Sequence, residues 1–475
     1  MSASVDRPLV PEWLTAPDDA NALAAAVWPP SAVRDDSGGL AIGGVTASTL
    51  RERFGTPLYV LDEDAVRARA REVKAAFDAA AARHGIQARV YYAGKAFLST
   101  EVVRWVTGEG LAVDVATGGE LAVALAAGAD PARLGLHGNN KSVGELERAV
   151  ELGVGSIVID SRIEIERLAE ITARRGLTGD AAQRVLIRVN TGVHAETHDF
   201  LATAHEDQKF GFALADAPAV AARIREIPGL ALVGLHCHIG SQIFGTAGFA
   251  ESAARLVSLY GDLLAGGALP LLNLGGGFGI AYTSADDPSP IQTLADAIVD
   301  AVARECGIRG LSLPNLAFEP GRAIVGRAGV TLYEVGTVKP VAVTDDLTRL
   351  YVSVDGGMSD NARPALYGAQ YSARIASRRS DAPPALARVV GKHCESGDIV
   401  VDAEYLPGDV APGDLLAVPA TGAYCFSLAN DYNYVPRPPV VAVTGGTARV
   451  IVRGETIDDL LARDAGIPAN TEDPR

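Results

Sequence analysis

Lys95 stands in the run Tyr91-Tyr92-Ala93-Gly94-Lys95-Ala96-Phe97, where a short β-like segment delivers one amine to a tight small-residue turn with no acidic neighbour in sequence. A protonated amine is a poor nucleophile, so Schiff-base chemistry needs a partly desolvated site that lets its pKa fall, and apolar flanks favour that. The same run also describes a strand-end lysine reaching for water, and both readings stay open on this segment alone. A second feature is Asn273-Leu274-Gly275-Gly276-Gly277-Phe278-Gly279, whose consecutive glycines let backbone N–H groups converge on an anion such as phosphate. The bland reading is a tight loop needing positive φ. It is not a dinucleotide fingerprint, because Ile280 stands where the third glycine belongs. Glu319-Pro320-Gly321-Arg322 sets a carboxylate and a guanidinium around a rigid turn. That carboxylate suits a protonated ring nitrogen, and an ion pair between Glu319 and Arg322 is the competing account. In Gly234-Leu235-His236-Cys237-His238-Ile239-Gly240-Ser241-Gln242 the period of a strand puts two imidazoles on one face. No third ligand of clear spacing accompanies them, so we expect no metal site, but a flat ring stacked on an aromatic cofactor with Ser241 donating to phosphate.

Elements must carry these groups. Apolar runs recur at 89–93, 111–114, 134–137, 157–160, 185–190, 232–237, 271–274 and 316–318, separated by helical stretches such as 119–127, 143–152, 163–175, 215–227 and 249–264. A strand at 56–62 and an amphipathic helix at 63–84 precede them. Eight β-then-helix units describe a (β/α)8 TIM barrel with its site at the C-terminal strand ends. Lys95, Asp114, His137, Asn139, Asn140, Asp160, Asn190, His236, His238, the three glycines and Glu319 all fall at such ends.

From about residue 333 the period changes to short alternating strands with Gly/Pro turns, at 333–340, 350–355, 388–391, 398–403, 415–419, 440–444 and 448–453. This predicts a C-terminal all-β domain, a sandwich or barrel that also takes the early strand. The expected organisation is an N-terminal extension over 1–46 with a short helix at 21–27, a strand segment 47–62, the barrel over 63–325 and the β domain over 326–475.

Composition narrows the function classes. The chain has 475 residues, 48% hydrophobic, enough for more than one sizeable core. A formal net charge of -16 disfavours nucleic acid as a partner, and no apolar run is long enough to span a bilayer. The N-terminus lacks the basic and apolar regions of a secretory signal, and Cys237, Cys306, Cys394 and Cys425 show no CxxC spacing, so a reducing cytoplasmic compartment is expected.

Nine motifs in order carry a family resemblance: YYAGKAF from Tyr91, DVATGGEL from Asp114, HGNNKS from His137, GLHCHIGSQI from Gly234, NLGGGFGI from Asn273, EPGR from Glu319, VDGGMSDNARPALYG from Val354, GKHCESGD from Gly391 and TGAY from Thr421. The chain resembles the diaminopimelate decarboxylases, fold-type III pyridoxal-phosphate enzymes related to ornithine decarboxylase and alanine racemase. HGNNKS, HIGSQ and KHCESGD point to the diaminopimelate branch rather than the polyamine branch. The resemblance implies that Lys95 holds pyridoxal 5'-phosphate covalently, that His238 stacks on its ring, and that Glu319 pairs with its nitrogen. Ser241, Gly276, Gly277, Gly321 and Arg322 would surround the phosphate, with Tyr424 beside cofactor and substrate. Arg322, Arg363 and Tyr367 would hold the remote carboxylate of meso-diaminopimelate, and Glu395 its remote ammonium. A zwitterionic far end needs both signs, and arginine fits carboxylate bidentately. Cys394 would return the proton that completes formation of L-lysine. The family places Cys394 and Glu395 in a neighbouring subunit's site, implying a homodimer.

Ornithine or arginine as substrate on the same scaffold is the alternative, and a non-catalytic homologue a more distant one. The far-end residues argue against the first, since a diamine-forming substrate has no remote carboxylate. The loop 425–432 departs from the family pattern, which implies tuning rather than a new activity. His236 reads as a packed barrel histidine, Cys237 and Cys306 as small core residues, and the polar stretch 194–210 as a lid over the substrate.

Overall fold

The computed structural model describes residues 10–193, 209–344 and 347–467; the expected lid at 194–210 lies, except for Lys209 and Phe210, outside the described residues. The chain forms two compact units, one of Val66–Ile280 with Asp287–Gly326, the other of Met1–Ala65, Ala281–Asp286 and Arg327–Arg475.

In the first unit eight parallel strands close into a barrel: β1 (Ala88–Ala93), β2 (Ala112–Val115), β3 (Leu134–Leu136), β4 (Ser156–Ile159), β5 (Gln183–Asn190), β6 (Leu230–His236), β7 (Leu271–Asn273) and β8 (Asn315–Phe318). Neighbours in sequence are neighbours in the ring, and β8 pairs back onto β1 with Leu316 opposite Ala88. These strands read as continuous apolar runs because both faces are covered; all four residues of β4 are buried. Tyr91, Ala112 and Ala317 pack together inside the ring, with Leu271 against them. The backbones approach closely at Gly234, where a Cβ would come within 1.9 Å of the Leu271 carbonyl oxygen. A side chain there would force β6 and β7 apart.

Short loops turn each strand end into a helix, and capping hydroxyls start several of these helices. Ser99 opens Thr100–Gly108, Thr117 opens Gly118–Ala126, and Ser142 forms a capping box with Glu145 at the head of Val143–Leu152, which stops at left-handed Gly153. Rigid strand ends followed at once by capped helices leave little slack, so side chains on those loops are fixed in position.

In the second unit the main sheet runs Ile399–Pro407, Pro384–Val390, Thr348–Val354, Gly329–Ala342, Leu58–Asp62, Val440–Thr444, Thr447–Val452. Leu58–Asp62 is wholly buried, antiparallel to Gly329–Ala342 and parallel to Val440–Thr444. The early strand is therefore a central member of the β domain, which explains its unbroken apolar character. The 14-residue strand Gly329–Ala342 pairs with Leu415–Pro419 through its first half and Thr348–Val354 through its second, with a bulge between Val335 and Thr337.

Three N-terminal expectations are corrected. The helix at 21–27 does not form: those residues make turns, with Asn21 exchanging two hydrogen bonds with Ser380 (2.8 and 3.0 Å) and the Ala22 carbonyl accepting from Arg374 Nε at 2.9 Å. Segment 47–62 is not strand throughout, since Ala47–Phe54 is a helix capped by Thr46 and ended by Gly55 (φ 75). Residues 33–46 fold into a small antiparallel sheet of Val33–Arg34, Leu40–Ile42 and Val45–Thr46, strands too short to show a period in sequence.

Candidate active site

Lys95 sits in a single 3-10 turn, Gly94–Ala96, directly after β1. Gly94 and Ala96 are buried while Lys95 is exposed, so the turn aims one amine out of an apolar base. Gly94 is required for close approach, because a Cβ there would lie 2.8 Å from the Asp114 carbonyl oxygen. The absence of acids near Lys95 in sequence does not hold in space. Asp114 and Glu120 both feel its charge: burial pushes the Asp114 carboxyl well up, Glu319 adds to that, and Lys95 pulls the other way.

Glu319, just past β8, is 8% exposed and meets polar side chains from the ends of three other strands. Asn273 Nδ2 donates to Oε1 at 2.6 Å, His236 Nε2 lies 3.2 Å from Oε2, and His137 Nε2 lies 3.3 Å from Oε1. Burial alone would raise the Glu319 carboxyl; His137 and His236 outweigh it and hold the group well below the usual carboxylate range. His137 itself is driven down to about 3 by burial, against the pull of Glu319. His236 faces Glu319 through Nε2, and its buried Nδ1 has no partner among the described residues. An uncharged donor such as the Asn273 amide stabilises an anionic Glu319 without neutralising it. His236 is thus more than a packed histidine. Although sequence offered no third ligand beside His236 and His238, His137, His236 and Glu319 present ligand atoms within 4.8 Å of one another; here those atoms face each other in this polar cluster.

His238 lies beyond the end of β6, and its Nδ1 accepts the Gly276 N–H at 3.2 Å. Burial lowers its pKa well below the ordinary imidazole value, with Lys95 adding to the effect, so the ring is neutral. The glycine run does two jobs. Gly275 and Gly277 have φ of 69 and 106, and a Cβ on Gly276 would meet the Glu319 carbonyl oxygen at 2.1 Å. The Gly275 and Gly276 amides already donate to Asn273 Oδ1 and His238 Nδ1, so the three N–H groups do not all converge on one point as the sequence suggested. Arg322 is buried and donates from Nη2 to Ser241 Oγ at 2.7 Å, and Pro320 ties the EPGR turn to β1 through the Ala93 N–H at 3.1 Å. Gly321 presses on Ala93 and Ala96, where a Cβ would come within 3.0 Å of both side chains.

Two cations not expected from the sequence, half-buried Arg188 and buried Lys141, also line the barrel. Arg188 of β5 packs its guanidinium 4.2 Å over the Phe210 ring and 3.8 Å from Asp160. Lys141 donates to the carbonyls of Gly138 (2.7 Å) and Val158 (2.6 Å) and to Glu164 Oε1 (2.7 Å). The signal was present: an arginine in a largely apolar parallel strand, and a lysine in the short loop between β3 and the helix Val143–Leu152, need polar partners inside.

In the second unit Arg363 is 7% exposed; its guanidinium donates to the Tyr371 hydroxyl and lies 4.7 Å from the Tyr282 ring centroid and 5.9 Å from that of Tyr424. Burial works against its charge, but Tyr371 and Tyr282 more than offset this and keep it ionised. Tyr424 holds a positive φ of 67, a strained backbone of the kind that gathers at functional sites. Cys425 is buried, 3.5 Å from both the Tyr371 hydroxyl and Asn361 Oδ1. Tyr367 is 63% exposed, and Cys394 and Glu395 are exposed on a loop where Asn433 Oδ1 accepts the Cys394 N–H at 3.0 Å.

Residues 63–326 match the family model for the pyridoxal binding domain of pyridoxal-dependent decarboxylases. The chain is 53% identical over 448 residues to a diaminopimelate decarboxylase of Mycobacterium bovis, covering 93% of this chain and 98% of the relative. A diaminopimelate decarboxylase of Bacillus subtilis is 44% identical over 435 residues, 91% of this chain and 96% of that one. Among solved structures, the diaminopimelate decarboxylase from M. jannaschii in complex with L-lysine superposes with a TM-score of 0.84 at 31% identity, covering 93% of this chain and 98% of the other. With its barrel, its strand-end lysine and its buried carboxylate at the tip of β8, the chain belongs to the diaminopimelate decarboxylase family of pyridoxal-dependent decarboxylases.

Proposed function

We propose that this protein removes carbon dioxide from the D-centre of meso-2,6-diaminopimelate and releases L-lysine. The observation that carries the reading is Glu319, a buried carboxylate at the end of β8 that His137, His236 and Asn273 hold ionised. A dry anion in a barrel mouth has one clear use beside a strand-end amine: to hold a ring nitrogen protonated.

Pyridoxal 5'-phosphate fits the residues present. Lys95 offers an exposed amine for its carbonyl carbon, and neutral His238 a ring to stack on it. Ser241 and Arg322, already paired, supply a hydroxyl and a guanidinium for its phosphate, beside Gly276, Gly277 and Gly321, where no side chain has room. When bound, the cofactor supplies an electron sink for the carbon that loses carbon dioxide. Glu319 would stabilise the positive ring nitrogen, and Lys95 would hold the cofactor at its carbonyl carbon. Arg322, Arg363 and Tyr367 bind the remote carboxylate, Glu395 the remote ammonium, and Tyr424 lines cofactor and substrate. Cys394 delivers the proton from Sγ.

Cys394 and Glu395 serve the site of a second copy in this reading, so the working unit is a homodimer; their exposure supports this. Four cysteines without a disulfide support a cytoplasmic setting, and no helix among the described residues is long and apolar enough to cross a membrane. We take 63–325 as the cofactor-binding domain and 326–475, with the early strand, as the β domain.

The test is to incubate purified protein with meso-diaminopimelate, with and without pyridoxal phosphate, and to follow L-lysine and carbon dioxide beside D- and L-ornithine. L-lysine formation that depends on the cofactor and is abolished, together with the visible cofactor absorbance, in Lys95→Ala supports the reading. Preference for ornithine overturns the substrate; full activity in Lys95→Ala overturns the site.

A further inference from the structure

Arg363 is a buried cation with no carboxylate in ion-pair distance among the described residues. Leaving a charge buried and unpaired is costly, and an anionic ligand would relieve that cost. What surrounds it is aromatic. Tyr282 covers the guanidinium at 4.7 Å, the Tyr371 ring lies 5.6 Å away, and the two tyrosines meet edge to face with centroids 5.2 Å apart and planes at 78°. Tyr371 is 1% exposed and Tyr282 5%, so neither ring is free to swing. The Tyr371 hydroxyl accepts from Arg363 Nη1, which ties one edge of the fork and leaves the other N–H groups for a ligand.

We propose that Tyr371 and Tyr282 are positioning residues that set the specificity of this enzyme for a substrate bearing a remote carboxylate. Tyr371 fixes the rotation of the Arg363 guanidinium through its hydroxyl. Tyr282 covers one face of the same plane and keeps water from it, which strengthens a charge-assisted bond to a planar anion and adds a cation–π contact. The inference rests on the reading of Arg363 as the residue that binds the remote carboxylate. Neither tyrosine contacts the reacting atoms in this account; they act through Arg363.

The experiment compares wild type with Tyr371→Phe using three probes: meso-diaminopimelate as substrate, L-lysine as an inhibitor that keeps the remote carboxylate, and 1,5-diaminopentane as an inhibitor that lacks it. In Tyr371→Phe the KM for meso-diaminopimelate and the inhibition constant of L-lysine should rise together by about tenfold, the loss of one charge-assisted hydrogen bond, with kcat nearly unmoved. Inhibition by 1,5-diaminopentane should change less than about twofold, because that probe has nothing for Arg363 to hold. A general structural lesion would weaken all three probes equally, and that result overturns the proposal. So does a wild-type preference for L-lysine over 1,5-diaminopentane that survives unchanged in the variant. If wild type binds both inhibitors alike, the carboxylate reading of Arg363 falls and the proposal with it. Should Tyr371→Phe fail to load cofactor, Tyr282→Leu makes the same comparison by removing the covering ring.

Discussion

Asn273 Nδ2 donates to Glu319 Oε1 at 2.6 Å, joining the end of β7 to the residue just beyond β8. The same Asn273 accepts the Gly275 N–H at 2.9 Å through its Oδ1, so one side chain both orients the carboxylate and shapes the glycine turn. Asn273→Leu should therefore raise the dissociation constant for pyridoxal phosphate by about tenfold, as expected for one lost charge-assisted hydrogen bond. Glu319→Gln should still bind cofactor but turn over on the order of 100-fold more slowly. Titration of cofactor absorbance and steady-state kinetics measure the two effects, and undiminished kcat in Glu319→Gln removes Glu319 from its assigned role.

Cys394 and Lys95 can be tested against each other. Cys394→Ala and Lys95→Ala should each be nearly inactive. If Cys394 serves a second copy, an equal mixture after subunit exchange should recover about a quarter of wild-type activity, since half the dimers are mixed and each has one intact site. No recovery in a mixture shown to have exchanged would place Cys394 and Lys95 in the same protomer's site or remove Cys394 from the chemistry.

Lys141 and Glu164 form an ion pair with side chains 1% and 3% exposed, and Lys141 also satisfies the Gly138 and Val158 carbonyls. Lys141→Met would strand Glu164 in the barrel wall and should cost about 3–5 kcal/mol of stability. Denaturant unfolding of the variant gives the figure. A loss below about 1 kcal/mol would mean that Glu164 finds water or protonates without strain.

Asp360 should make the β domain less stable as pH rises. Burial lifts its carboxyl from 3.8 to about 7, opposed by hydrogen bonds from Tyr333 and Gly357. From about pH 4 to about 7 the folded chain holds a proton that the unfolded chain has released, so stability falls across that window and is regained as pH drops below it. The contribution is about 2 kcal/mol between pH 5 and 7. Thermal melts of wild type and Asp360→Asn should show the advantage of wild type shrinking from pH 5 to 8; a difference independent of pH would contradict the assignment.

The barrel is legible in the chain because parallel strands buried on both faces leave apolar runs, and capping residues mark where each helix begins. Leu58–Asp62 is legible as a strand for the same reason. The small sheet at 33–46 is not, because strands of two or three residues carry no period. The helix expected at 21–27 gives way to hydrogen bonds with Ser380 and Arg374, residues more than 350 positions away, which no local pattern reports.

The site divides along the same line. Residue type and order alone identify Lys95, His238, Ser241, the glycine run, Glu319 and Arg322 as the groups to watch, because glycine spacing, a lone amine and the EPGR turn are local signals. Only the tertiary structure brings His137, His236 and Asn273 to Glu319, sets Asp114 and Glu120 near Lys95, and encloses Arg363 in tyrosines. Those relationships depend on burial and on side chains from distant strands meeting at one point, and both arise only when the chain closes on itself.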